Sequence, residues 1–178
     1  MTFKKRTKQN HFTVMAATIA LTVCALSFPS LSQDISEIDE LMTIGNIANI
    51  NQVGDELGLS LTQQGVNNRY ISTQSGFNNQ ILALQQGTNN YAIANQSGSD
   101  IEAHILQAGF NNVLLLNQFG SSLMVDVDQI GADNLAVVNQ TGNENAIWIQ
   151  QYGSGNAVGV TQWGVSQHVV VTQGNLSN

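Results

Sequence analysis

From residue 46 to residue 178, apolar and polar side chains alternate in short runs that recur every eleven residues. Glutamine marks the beat at Gln52, Gln63, Gln74, Gln85, Gln96, Gln107, Gln118, Gln129, Gln140, Gln151, Gln162 and Gln173. With each glutamine as position zero, +7 reads Leu59, Tyr70, Ile81, Ala92, Ala103, Leu114, Val125, Ala136, Ile147, Val158 and Val169. Position +9 reads Leu61, Ser72, Ala83, Ala94, Ile105, Leu116, Val127, Val138, Ile149, Val160 and Val171. Of these 22 residues 21 are apolar, counting Tyr70, and Ser72 is the exception. Positions +6, +8 and +10 are mixed and include Arg69, Glu102, His104, Asp126, Asp128 and His168. Period-two alternation with one apolar face predicts a half-buried strand. It runs from about +6 to the residue after the next glutamine, so the glutamine shares the inward face. A glycine at +2, from Gly54 to Gly164, opens the turn, where positive φ is often needed.

An eleven-residue period also suits a right-handed coiled coil. The contents of the unit reject that reading, because each glycine costs a helix about 1 kcal/mol relative to alanine. The charged flanks of a coiled coil are scarce as well. A second periodicity lies beneath the first. Asn68, Asn90, Asn112, Asn134, Asn156 and Asn178 stand at +5 after every other glutamine, while the intervening units carry Leu57, Asn79, Ile101, Leu123, Asn145 and Gln167. The structural unit is therefore a 22-residue coil of two strands and two turns. The expected fold is all-β: a cross-β solenoid with two facing parallel sheets about 10 Å apart and about 4.8 Å between coils. Asn46, Ala48 and Ile50 extend the pattern upstream, giving twelve strands in six coils. Inward glutamines need partners, since a buried unpaired amide costs about 1–3 kcal/mol. Stacked in register, each can donate to the one beside it, and such ladders stabilise cross-β stacks.

Composition then separates the ends of the chain from its middle. Lys4, Lys5, Arg6 and Lys8 precede an apolar run from Thr13 to Phe28, and Ser30-Leu31-Ser32 supplies small residues for cleavage before Gln33. Residues 1–32 read as a secretory signal peptide, residues 33–45 as an acidic N-terminal segment, and residues 46–178 as the repeat solenoid. Removing the signal leaves Arg69 against twelve acidic residues, a formal charge of −11, with neither cysteine nor proline. That acidity argues against nucleic acid and anionic membranes as partners. The lack of proline removes the commonest interruption of a continuous ladder.

The motif Gln-x-Gly-x-x-Asn-x-Ala-x-x-x-Gln appears as Gln85-Gly87-Asn90-Ala92-Gln96 and Gln129-Gly131-Asn134-Ala136-Gln140. Variants start at Gln63, Gln107 and Gln151. It resembles the curlin repeat of bacterial curli fibre subunits. The resemblance implies a functional amyloid exported through an outer-membrane channel and polymerised with a second curlin into cell-surface fibres of a biofilm matrix. The serine that curlin repeats usually carry six residues before the first glutamine is replaced here by Leu57, Asn79, Ile101, Leu123, Asn145 and Gln167, and the glycine-rich N-terminus of major subunits is absent. The apolar repeats and the acidic segment resemble the minor, nucleating curlin. The final repeat, however, lacks the basic residues such nucleators tend to carry.

No constellation suggests catalysis, a cofactor or a metal. His104 and His168 sit 64 residues apart on outward positions. Asp126, Asp128 and Asp133 form the nearest approach to a carboxylate cluster, and read as solvated charges that discourage lateral aggregation. Assembly is the remaining function, because a solenoid without end caps offers open strand edges. The competing expectation is a monomeric β-solenoid adhesin or binding module capped by its N-terminal segment.

Overall fold

The computed structural model describes residues 45–174. The signal peptide, the acidic segment apart from Gly45, and Asn178 lie outside the described residues. Within them the chain forms twelve strands: β1 (Ile47–Asp55), β2 (Gly58–Val66), β3 (Arg69–Phe77), β4 (Gln80–Thr88), β5 (Tyr91–Ser99), β6 (Glu102–Phe110), β7 (Val113–Ser121), β8 (Met124–Ala132), β9 (Leu135–Asn143), β10 (Ala146–Ser154), β11 (Ala157–Val165) and β12 (His168–Gly174). Odd-numbered strands make one six-stranded sheet in the order β1-β3-β5-β7-β9-β11. Even-numbered strands make the other, in the order β2-β4-β6-β8-β10-β12. Every pairing is parallel with partners 22 residues apart, such as Gln74 with Gln96 and Gln107 with Gln129. The six-coil parallel β-solenoid expected from the alternation is therefore the observed fold.

The core is the slot between the sheets. Positions +7 and +9 fill it, with Ala92, Ala94, Leu114, Leu116, Val125, Val127, Ile147 and Ile149 fully buried. Bulk varies between the strands of a coil: β9 contributes Ala136 and Val138 to the slot, and β10 the larger Ile147 and Ile149. Tyr70 and Ser72 divide one strand's volume unequally, and both are buried. Neither hydroxyl has a partner at hydrogen-bonding geometry. Burial holds the Tyr70 phenol far above its usual range, with the nearby Ser72 hydroxyl pulling it back slightly. The first and last coils are covered on one side only, and Ile50 of β1 is 44% exposed.

One detail differs from the sequence reading. The strands continue through the glycine to +3, and the corner itself is made by +4 and +5. Position +4 takes the left-handed conformation in every coil, with φ between 51° and 58° at Glu56, Asn67, Asn78, Asn89, Asp100, Asn111, Ser122, Asp133, Glu144 and Ser166, and 70° at Gly155. The glycine at +2 also has positive φ, from 94° to 142°. Its need is steric as well as conformational: a methyl built on Gly65 would overlap the carbonyl oxygen of Gly87 in the next coil. Two reversals two residues apart turn the chain through the corner while the stacking hydrogen bonds continue. Asn89 N–H, for example, donates to the Val66 carbonyl at 3.0 Å, and Tyr91 N–H to the Asn112 carbonyl at 2.8 Å.

Candidate functional site

The chemistry-bearing side chains of this chain are its stacked amides. In the odd sheet, Gln52, Gln74, Gln96, Gln118 and Gln140 each donate through Nε2 to Oε1 of the glutamine 22 residues on, ending at Gln162, at 2.6–3.1 Å. The even sheet carries the same ladder from Gln63 through Gln85, Gln107, Gln129 and Gln151 to Gln173, at 2.7–2.9 Å. Nine of the twelve glutamines are buried, and Gln52, Gln63 and Gln173 in the end coils are not. All ten bonds run the same way. Among the described residues, Gln52 and Gln63 thus present side-chain carbonyl oxygens with no glutamine below them, while Gln162 and Gln173 present amide protons with no glutamine above.

The second amide proton has a separate use. Gln107 Nε2 donates to the Tyr91 carbonyl at 3.0 Å, crossing from the end of β6 to the start of β5 in the facing sheet. Gln118 makes the equivalent bond to the Glu102 carbonyl at 3.2 Å. The bond recurs from Gln63 to Gln173, so each glutamine ties its own sheet vertically and the two sheets laterally. With both protons placed, the amide meets the requirement that buried donors be paired.

The two corners of the coil are built differently at +5. At the even-to-odd corner Asn46, Asn68, Asn90, Asn112, Asn134 and Asn156 form an unbroken ladder. Asn112 donates from its backbone N–H and its Nδ2 to Asn90 Oδ1, at 3.2 and 3.0 Å. The same Nδ2 reaches the Gly131 carbonyl of the next coil at 3.2 Å. At the odd-to-even corner only Asn79 and Asn145 keep this geometry, reaching the Gly98 and Gly164 carbonyls at 3.1 and 2.9 Å. Ile101 and Leu123 fill the same place as buried apolar side chains.

Alternation alone did not reveal the left-handed +4 column. Its signal is in the composition of that column: Asn67, Asn78, Asn89, Asn111, Asp100, Asp133 and Gly155 are the types that adopt positive φ at least cost. An outer amide ladder, Asn95 to Asn117 to Asn139 at 2.9 and 3.0 Å, was also not anticipated. Carboxylates are arranged so that none stacks on another across the register. Asp126 lies between His104 and Trp148, and Asp128 between Leu106 and Gln150. Partial burial, and then the adjacent Asp126, hold the Asp128 carboxyl above its usual range. His104 Nε2 meets Glu102 Oε1 at 3.0 Å on an exposed face. Among the described residues no group of three His, Cys, Asp or Glu side chains is placed to hold a metal ion, and no helix is long and apolar enough to cross a membrane.

Fold and site together define a parallel β-solenoid repeat protein whose organised polar chemistry is amide stacking. Residues 98–131 and 131–164 each match the family model of the Curlin associated repeat, and these two matches support the curlin family of structural fibre subunits. No curated protein matches the chain, and no solved structure does.

Proposed function

We propose that this chain is a secreted subunit of a curli-type functional amyloid fibre, in the minor, nucleating role. The observation that carries the reading is the pair of open ends. Strands β1 and β11 close the odd sheet, β2 and β12 close the even sheet, and among the described residues nothing pairs with their outer edges. Such edges are templates for another chain. The ends are also complementary. A second copy continuing the 22-residue register sets its Gln52 above Gln162 and its Gln63 above Gln173. Amide protons at one end then meet carbonyl oxygens at the other, and the half-exposed apolar side chains of both end coils become core.

The nucleating role rests on the apolar +7 and +9 positions and on an acidic rather than glycine-rich N-terminal segment. The leader-like residues 1–32 support export, and the family resemblance supports a cell-surface fibre in a biofilm matrix, with a second curlin and an outer-membrane channel as partners. Seeding tests the role. A substoichiometric amount of this protein added to the second curlin is expected to remove the lag before fibre growth. If the lag is unchanged while this protein forms long fibres alone, the chain is the major subunit. If it stays monomeric at high concentration, it is a binding module.

A further inference from the structure

The two sheets present different outer faces. The odd sheet carries only two charges outward, Asp55 on β1 and Arg69 on β3, and none on β5, β7, β9 or β11. The even sheet carries Glu102, His104, Asp126, Asp128 and His168. Large apolar side chains stand free on the odd face, with Trp163 76% and Phe119 64% exposed. A trough of about 350 Å³ runs along the face, lined by Phe119 and otherwise by small and polar residues, among them Ser75, Asn95, Ser97, Asn117 and Thr141.

We propose that the outer face of the odd sheet is a self-pairing surface, on which a second copy of this chain packs face to face about a two-fold axis parallel to the stacking direction. That operation keeps both stacks running the same way and reverses the strand direction across the interface. Column +8 of one copy then lies over column +1 of the other, +6 over +3, and +10 over itself. The residues brought together are complementary in size. Trp163 falls over Gly159 of the second copy, where a side chain would meet nothing of its own chain. Ile93 falls over Ser97, Val137 over Thr141 and Tyr91 over Ser99. The apolar ridge of each copy thus enters the trough of the other, and Leu115 meets Phe119 as an apolar contact. On the axis lie Thr73, Asn95, Asn117, Asn139 and Thr161, neutral groups that hydrogen-bond to their own kind. The two charges are complementary as well: Arg69 sits one coil above Asp55 of the second copy, and the reverse.

The same operation on the even sheet fails. It sets Asp128 on Asp128 at the axis, Asp126 against Ile130 and Glu102 against Phe110, burying unpaired carboxylates. Area is sufficient on the odd face: strands of about 30 Å over a stack of about 29 Å offer roughly 850 Å², against about 800 Å² per partner in a standard interface.

The pairing belongs to a single folded chain and does not require polymerisation. Its test is site-specific crosslinking of the full chain in a Cys24→Ser background. Asn117→Cys and Leu106→Cys place one thiol each at the +10 column of the odd and even faces. The probe is a bis-maleimide of about 8 Å span, suited to the ~10 Å between packed sheets. End-to-end stacking cannot give the product, because it spaces equivalent thiols about 29 Å apart. The expected result is a covalent dimer through residue 117, little through residue 106, and loss of the 117 dimer when Gly159→Trp is added. No dimer at 117, equal or greater yield at 106, or a 117 dimer indifferent to Gly159→Trp would overturn the proposal.

Discussion

The two corners of each coil share one backbone and fill it differently. Both use a positive-φ glycine at +2 and a left-handed residue at +4. Both bury the side chain at +5 in the inner coils. Yet one corner stacks asparagine on asparagine through the described solenoid, while the other carries Ile101 and Leu123 between its two asparagines and Leu57 and Gln167 outside them. The fold therefore requires the glycine and the reversal at every corner, whereas the asparagine is one of two ways to fill the space. What the asparagine adds is continuity. Each Oδ1 accepts from the coil above, so the ladder leads from one coil to the next in a way an isoleucine does not.

The largest expected effect falls on what the corners have in common. Gly109→Ala in one corner and Gly120→Ala in the other each combine forbidden backbone geometry with overlap on the glycine carbonyl of the adjacent coil. Each should cost about 3–5 kcal/mol, read as a fall in the midpoint of denaturant unfolding. A large loss at only one corner would mean that the corners do not share a backbone requirement.

The next test separates them. Asn112→Leu removes the acceptor for Asn134 N–H and Nδ2, at 3.3 and 2.9 Å, and the donor to the Gly131 carbonyl. It should cost about 2–3 kcal/mol, because buried groups lose partners on both sides. The reciprocal Ile101→Asn finds Asn79 Oδ1 already in place below it, now accepting from Ile101 N–H at 3.1 Å. It gives up apolar burial and gains amide bonds of similar worth, so stability should stay within about 1 kcal/mol of the parent. Equal losses in the two variants would remove the distinction between the corners.

The smallest effect is electrostatic. Asp128 has a raised folded-state pKa, so its ionisation opposes folding. Its contribution is fully favourable below the ordinary carboxylate range and is lost as pH rises through the folded-state value. Between pH ~3 and ~6, a window set by carboxylate titration, stability should gain slightly on acidification, and Asp128→Asn should flatten that part of the profile. The groups facing it from β6 and β10 are Leu106 and Gln150, neither of which titrates, and the neighbouring His104 and Asp126 are unchanged in the variant.

Much of this architecture is legible in the chain because stacking repeats each constraint. One strand of alternating residues is weak information, but the same alternation at 21 of 22 positions leaves one inward face and one register. The 22-residue coil could be read from asparagine because one corner keeps it throughout. The other corner was opaque for the converse reason: Leu57, Ile101 and Leu123 look like ordinary apolar residues unless the corner is known to be buried. The cross-sheet bond from Gln107 to Tyr91 could not be read, since it joins residues 16 apart only once the chain has folded back. The continuation of each strand beyond its glycine was missed for a related reason. A positive φ usually ends a strand, but here it bends one whose stacking partner bends identically.

In the proposed fibre, molecules add end to end and continue the coil. Mass per unit length of fibres grown from the purified protein measures this directly. Six coils at about 4.8 Å predict one chain per about 29 Å of filament, or two where filaments pair. One chain per about 4.8 Å, as when each molecule forms a single flat layer, is incompatible with end-to-end addition of six-coil molecules.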